Sequence, residues 1–364
     1  MSLTRLKRLL NSLRRRVRRV VKGGSMNGRE QRPDYSQRLQ RMDTHLVPEG
    51  HDELRLFMVA RNAALRLPYL FAHYRRAGVD RFFVVDNGST DATPDFLASQ
   101  PDAHVFRTED SYSKAGSGML WVEYLMDLYG RDRWCVVVDE DEILFYPNAE
   151  DLSLKDFCSY LDLEGATAVH SLLLDMYSDR SVAETFYRPG EPFLETCPFF
   201  ETGNRELRSD GLDEGGMRLR VFGTRNILSK HNLIKRVPGL RVGGGMHFVS
   251  GARLSSVRGA TLHFKYLHDF AERVAGEAVR GEHWQDALQY RKYAEGMADN
   301  PQVTLHHPGS VRWRDSRQLV ELGLMQTNDS FEDFAAGLAT RRCAPRPQRE
   351  KVAADSWPAG RVDS

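Results

Sequence analysis

A chain of 364 residues with 41% hydrophobic content can bury one large core or two modest ones. Its 51 basic residues against 50 acidic ones leave a formal charge of +1, which excludes an overall electrostatic bias toward nucleic acid. Cys135, Cys158, Cys197 and Cys343 lie too far apart for a zinc or redox motif and read as reduced thiols of a cytoplasmic protein. No apolar run approaches the ~20 residues of a membrane span or the core of a signal peptide.

The chain opens with Leu3, Leu6, Leu9, Leu10, Leu13, Val17, Val20 and Val21 at steps of three and four, set among nine basic residues. This pattern predicts a basic amphipathic helix over residues 1–24, ended by Gly23 and Gly24 and suited to an anionic membrane surface through residues 1–22. Residues 25–52 read as a linker, with the folded body expected from 53. Short apolar runs then alternate with helix-length segments, as parallel strands joined by helical crossovers do. Strands are predicted at 54–60, 81–86 and 103–107, and a helix at 118–129. The segment 134–143 carries a strand of five apolar residues straight into the acids Asp139, Glu140, Asp141 and Glu142. A helix at 154–163 and a strand at 166–174 follow. Residues 178–245 read as loop-rich, 260–267 as a last strand, and 269–297 as helix packed outside the sheet. A mostly parallel central sheet flanked by helices is expected over 53–267, with a C-terminal helical segment at 268–335 and a disordered tail at 336–364.

Ligands of open α/β sheets bind beyond the carboxyl ends of the strands, where Asp86 and the acidic run both fall. Four consecutive acids repel one another, and a divalent cation is the natural balance. Asp139 and Asp141, two residues apart, suit one Mg²⁺ or Mn²⁺ ion, which prefers hard oxygen ligands and substrate phosphates. The opposing reading makes them turn and capping residues. Asp86 can accept hydrogen bonds from a base or ribose, and Asn87 and Gly88 let a backbone approach a ligand.

The segments Arg61 to Thr93 and Trp134 to Pro147, with the later blocks Gly215 to Gly223 and Leu262 to Trp284, resemble the bacterial branch of family 2 glycosyltransferases that act on cell-surface polysaccharides. The similarity runs from about Glu53 to Leu324. It implies the GT-A fold and transfer of a sugar from a nucleotide-sugar donor to a glycan or lipid-linked acceptor, with inversion. It also implies donor contacts around Arg61, Asp86, Asn87 and Gly88, and a diphosphate held through Mg²⁺ or Mn²⁺ at Asp139 and Asp141. Relatives usually carry an acid after Arg-Asn in the first block, where this chain has Ala63, so no donor contact is assigned there.

Enzymes of this kind often complete the metal shell with a late histidine. His263 is the candidate, with Lys265 on the same strand face as a phosphate contact, against the alternative of a core histidine. His247, in a glycine-rich stretch, is second. A general base is expected after the acidic run, at Asp213 and Glu214, with Asp210 behind them. The roles of Arg218 and Arg220 stay open between phosphate binding and surface packing. Competing readings are a GT-A-like binding protein without turnover, a metal-dependent nucleotidyltransferase, and a nucleic-acid binder using the basic N-terminus, although the body lacks a reading motif.

Overall fold

The computed structural model describes residues 35–50, 52–209 and 211–343. The amphipathic helix expected at 1–24, the start of the linker and the tail beyond 343 lie outside these residues, as does Asp210. From Leu39 onward the chain forms one compact unit, built on a nine-stranded mixed sheet flanked by helices.

The strands are β1 (Gln40–Arg41), β2 (Arg55–Ala60), β3 (Arg81–Asp86), β4 (Ala103–Arg107), β5 (Trp134–Val137), β6 (Glu142–Phe145), β7 (Ala168–Asp175), β8 (Ser229–Lys235) and β9 (Gly259–His263), in spatial order β1-β4-β3-β2-β5-β8-β7-β9-β6. β4, β3, β2 and β5 run parallel. β8 is antiparallel to both β5 and β7, β9 is parallel to β7, and β6 returns antiparallel to β9. The carboxyl ends of six strands, β2, β3, β4, β5, β7 and β9, therefore share one edge, where β6 and β8 begin. β2 and β3 are apolar and almost wholly buried, as central parallel strands covered on both faces must be.

Helix α1 (Leu67–Ala77) starts with Pro68 in its first turn and stops at Gly78, whose φ of 102° is open to glycine. Helices α2 (Thr93–Ala98) and α3 (Met119–Tyr129) follow β3 and β4, and α4 (Leu154–Glu164) carries a Ser153–Asp156 capping box. Later come α5 (Met217–Phe222), α6 (Phe270–Arg280), α7 (Trp284–Asp299), α8 (Ser316–Glu321) and α9 (Asp329–Cys343). The main core packs between sheet and helices. A second core of Tyr177, Met217, Phe222, Tyr266, Phe270 and Tyr293 joins α6 and α7 to the body. Cys135, Cys158 and Cys197 are buried free thiols.

Four expectations change. The apolar strand at the start of 134–143 is present as β5, but the acids do not simply end it: the chain leaves the sheet after Val137, crosses the tops of β8, β7 and β9 as Val138–Asp141, and re-enters at Glu142 as an unexpected strand, β6. The loop-rich 178–245 stretch contains β8, concealed by the polar run Lys230-His231-Asn232. The last strand ends at His263 rather than continuing to 267, and the final helix runs past 336 to Cys343.

Candidate active-site cleft

The acidic turn is held in place by backbone and register. Glu142 N–H donates to the Asp139 carbonyl (3.2 Å), and Phe264 N–H to the Asp141 carbonyl (2.7 Å). β9 aligns His263 with Glu142 on one side and Asp175 on the other, so strand pairing alone brings the histidine to the acids. His263 Nδ1 lies 2.7 Å from Asp175 Oδ1, and its Nε2 lies 3.4 Å from Asp141 Oδ1. Arg218 grips Asp175 with both arms of its guanidinium, at 2.8 and 2.6 Å. The 2.9 Å approach of Arg218 Nη2 to His263 Nδ1 is therefore that of two donors sharing one carboxylate.

Burial would disfavour every charge here, but the pairing reverses it. Burial would lower His263, yet the Asp141 and Asp175 carboxylates hold it above its usual value. Burial would likewise raise Asp141, yet His263 keeps its carboxyl well below the usual range. Burial pushes Glu140 up, opposed by Arg273, which donates to its carboxylate.

Asp139 and Glu142 diverge from the rest. The Asp139 side chain is 40% exposed and lies 3.3 Å from Lys230 Nζ, while Glu142 is buried and pairs with the same ammonium at 2.7 Å. Lys230 also donates to the Gly245 carbonyl, at 2.7 Å. Glu142 thus belongs to the sheet's polar interior instead of the cleft. Asn232, at an irregularity in the β8–β7 ladder, completes that interior by donating to the Val137 carbonyl and to Glu142.

A cleft of about 110 Å³ opens over the turn, lined by Asp139, Glu140, Asp141, His263 and Lys265 from the sheet edge. Arg61 and Asn87 line it from the β2 and β3 exits, and Arg273, Glu277, Arg280, His283 and Tyr290 from α6 and α7. Arg61 Nη1 donates to the carbonyls of Asn87 (2.5 Å) and Gly88 (2.8 Å), and Gly88 holds a φ of 66° beneath that guanidinium. Asp86 itself turns inward and accepts from Ser89 N–H at 3.0 Å. Ala63 N–H is bonded to Thr93 Oγ1, so the departure at that position lies behind the turn. Lys265 Nζ sits 4.6 Å from the Tyr290 ring centroid and donates to its hydroxyl. Burial lowers its pKa.

Of the sequence candidates, Arg61, Asn87, Asp139, Asp141, His263 and Lys265 meet in this cleft, whereas Asp86 and Gly88 underpin its floor. Asp213 and Glu214 do not line it. They sit on a hairpin with 205–207, where Asp213 faces Arg205 (3.8 Å) and Glu214 pairs with Arg208 and Arg225. His247 is also elsewhere, with Nδ1 2.8 Å from the Ser229 carbonyl. Arg218 orients Asp175, and Arg220 pairs with Glu201. The residues that sequence reasoning missed are Lys230 and the cleft-facing set on α6 and α7. Helical periodicity shows that such a helix buries one face but not against what.

Asp141 and His263 are placed to share a hard divalent cation. Asp175 would fix the imidazole through Nδ1, and the Nε2 proton would be displaced. No group of three or more His, Cys, Asp or Glu side chains converges with metal-binding spacing among the described residues. Such a site would offer two protein ligands, with Asp139 beside it, and take the rest from phosphate and water, a normal Mg²⁺ arrangement.

No protein-family model matches the chain, and no curated protein does. Among solved structures, a 4-diphosphocytidyl-2C-methyl-D-erythritol synthase aligns over 36% of this chain and 61% of its own length, at 15% identity and a TM-score of 0.25. That similarity is too slight to carry an argument.

Proposed function

We propose that the chain is a GT-A glycosyltransferase that takes a nucleotide-sugar donor into this cleft. The observation that carries the reading is the convergence, at the carboxyl ends of the strands, of an acidic turn and a carboxylate-oriented histidine with the cations Arg61, Lys265, Arg273 and Arg280. A diphosphate needs both sets: the cations for its oxygens and the acids for a bridging metal. The parallel β4-β3-β2-β5 half-sheet, with one antiparallel strand between β5 and β7, agrees with the GT-A arrangement.

In this reading Asp141 and His263, with Asp139 beside them, hold Mg²⁺ or Mn²⁺, which supplies charge stabilisation to the leaving diphosphate. Asn87 and the backbone around Gly88, braced by Arg61, receive the nucleoside. Asp86 acts through the Ser89 turn. Glu277 replaces Asp213 and Glu214 as base candidate, being the carboxylate among the lining residues that lies outside the acidic turn. Its contact with His283 Nε2 is 3.0 Å. It accepts the proton of the acceptor hydroxyl as the new C–O bond forms and the nucleoside diphosphate departs.

The enclosed part of the cleft, about 110 Å³, is smaller than the roughly 300–1,000 Å³ of a typical ligand site, and α6 and α7 form the wall whose displacement would enlarge it. The acceptor is a glycan or lipid-linked glycan, and the basic segment 1–22 brings the enzyme to the anionic membrane surface where such lipids reside.

Incubating the full chain with UDP-, GDP- and CMP-sugars, with and without Mn²⁺, tests the reading. One donor should be hydrolysed slowly in a Mn²⁺-dependent way, and the Asp141→Ala variant should be inactive. Hydrolysis of none, or hydrolysis undiminished in that variant, would overturn it.

A further inference from the structure

Glu277, His283, Arg280, Tyr290 and Tyr112 meet at one end of the cleft, where the chain turns from α6 into α7. His283 Nε2 lies 3.0 Å from Glu277 Oε2, and because an ionised carboxylate can only accept, the imidazole donates from that nitrogen. The ring is fixed on both sides. It stacks on Tyr290 with centroids 4.3 Å apart and the planes 30° from parallel, and it meets Tyr112 edge-on at 5.3 Å. Tyr290 in turn accepts from Lys265 Nζ at 3.1 Å. Glu282, beside the histidine, accepts from Ser111 Oγ (2.6 Å) and Ser113 N–H (3.0 Å), which ties the corner to the loop after β4.

The other cation at Glu277 is less closely engaged: Arg280 Nη1 lies 3.5 Å from each carboxylate oxygen, while its Nη2 donates to Asn87. Glu277 Oε1 has no closer hydrogen-bond donor than this arginine among the described residues. Burial would raise the Glu277 carboxyl, yet the hydrogen bond from His283, with Arg280 and Arg61 nearby, holds it below its usual range. Without the imidazole, the guanidinium could draw in both oxygens and satisfy the one that has to receive a proton. We propose that His283 is the positioning residue for the base: by holding Oε2 it keeps the carboxylate from closing on Arg280 and leaves Oε1 to take the acceptor's proton. This inference rests on the transferase reading. The acceptor's O–H bond breaks toward Oε1 as its oxygen bonds to the anomeric carbon, and the electron pair of the broken C–O bond leaves with the nucleoside diphosphate.

Mn²⁺-dependent hydrolysis of UDP-, GDP- and CMP-sugars by the full chain, with water as the acceptor, tests it when followed against pH. Glu277→Gln should lose at least about a hundred-fold in kcat, the lower end of what a general base contributes. His283→Ala should lose about ten-fold in kcat, the scale of one hydrogen bond to a charged group, with the donor's KM little changed. The acid limb of its profile should move to higher pH, because the carboxyl loses a donor that favours its ionised form. His283→Gln, whose amide can donate from the same place, should recover most of the rate. A purely structural role for the ring would change the melting temperature and the rate but not the position of that limb. If the wild-type chain turns over no donor, the transferase reading falls and this inference with it. A wild-type chain that turns over a donor, combined with an active Glu277→Gln variant or an unmoved acid limb in His283→Ala, overturns this inference and leaves the transferase reading standing.

Discussion

Lys230 Nζ lies 2.7 Å from Glu142 and 3.3 Å from Asp139, although some ninety residues separate the lysine from the acids. Lys230 is 3% exposed and Glu142 1%. Burial would lower the lysine, but the Glu142 and Asp139 carboxylates hold it above its ordinary value. Lys230→Met should leave a buried carboxylate uncompensated and cost about 3–5 kcal/mol in thermal or urea unfolding. The double variant Lys230→Met/Glu142→Leu should recover much of that loss. Equal losses in both would mean that packing, rather than charge, dominates the site.

His263→Ala should weaken Mn²⁺ binding, followed by titration of the protein with the metal alone, because Asp141 loses its partner ligand. The metal-free protein should also melt earlier, since Asp141 and Asp175 no longer share a cation between them. Unaltered Mn²⁺ affinity would remove His263 from the metal site and leave it a purely structural bridge.

The α6–α7 hairpin is clamped at its base by the bidentate Arg66–Asp269 pair (2.6 and 2.8 Å). Toward its tip it is held by Arg273 on Glu140, Arg280 on Asn87, and Glu282 on Ser111 (2.6 Å). Gly281, with a φ of 68°, marks the corner. Arg273→Ala/Arg280→Ala should raise amide exchange in residues 270–283 while leaving β2 and β3 protected. Unchanged exchange there would show that the second core, not these contacts, holds the hairpin down.

Buried histidines set an acid limit on stability. His231 is 5% exposed, and burial, reinforced by His170, pushes it down to about 4. Burial also takes His73 to about 4. A folded-state value below the unfolded value of about 6.5 means that the unfolded chain binds more protons between the two. Their contribution is complete above pH 6.5 and is lost as pH falls toward 4. The melting temperature should decline across that window, and His231→Gln should flatten the decline. An identical pH profile in the variant would point to other groups.

The sequence made β2 and β3 legible because each carries an apolar run of four or more residues closed by a turn, and β4 because its short apolar stretch, broken only by His104, follows at crossover distance. It also located the acidic turn, since nothing else in the chain places four acids after such a run. The limits of that turn were not legible: Glu142 reads as the fourth member of an acidic cluster, yet it opens β6 and faces Lys230. β8 was hidden for a related reason. Its Lys230, His231 and Asn232 look like loop residues until their partners, supplied by β5, β6 and the 244–246 turn, are in place. Asp213 and Glu214 stood beside glycines in a region whose hairpin register no local pattern reveals. Arg273, Arg280 and His283 were visible as helix residues, but their position over the cleft depends on packing between Phe222, Tyr266, Phe270 and Tyr293.

The pairing of β6 with β9 has a consequence for synthesis on the ribosome. Glu142 emerges about 120 residues before His263, the residue it faces in the ladder. The N-terminal parallel strands can begin to assemble while β6 still waits for its neighbour. Until β9 arrives, β6 is an open strand edge beside a concentration of negative charge, and that charge discourages another chain from adding to it. The acids that serve ligand binding in the finished protein would thus also guard the growing chain against premature pairing.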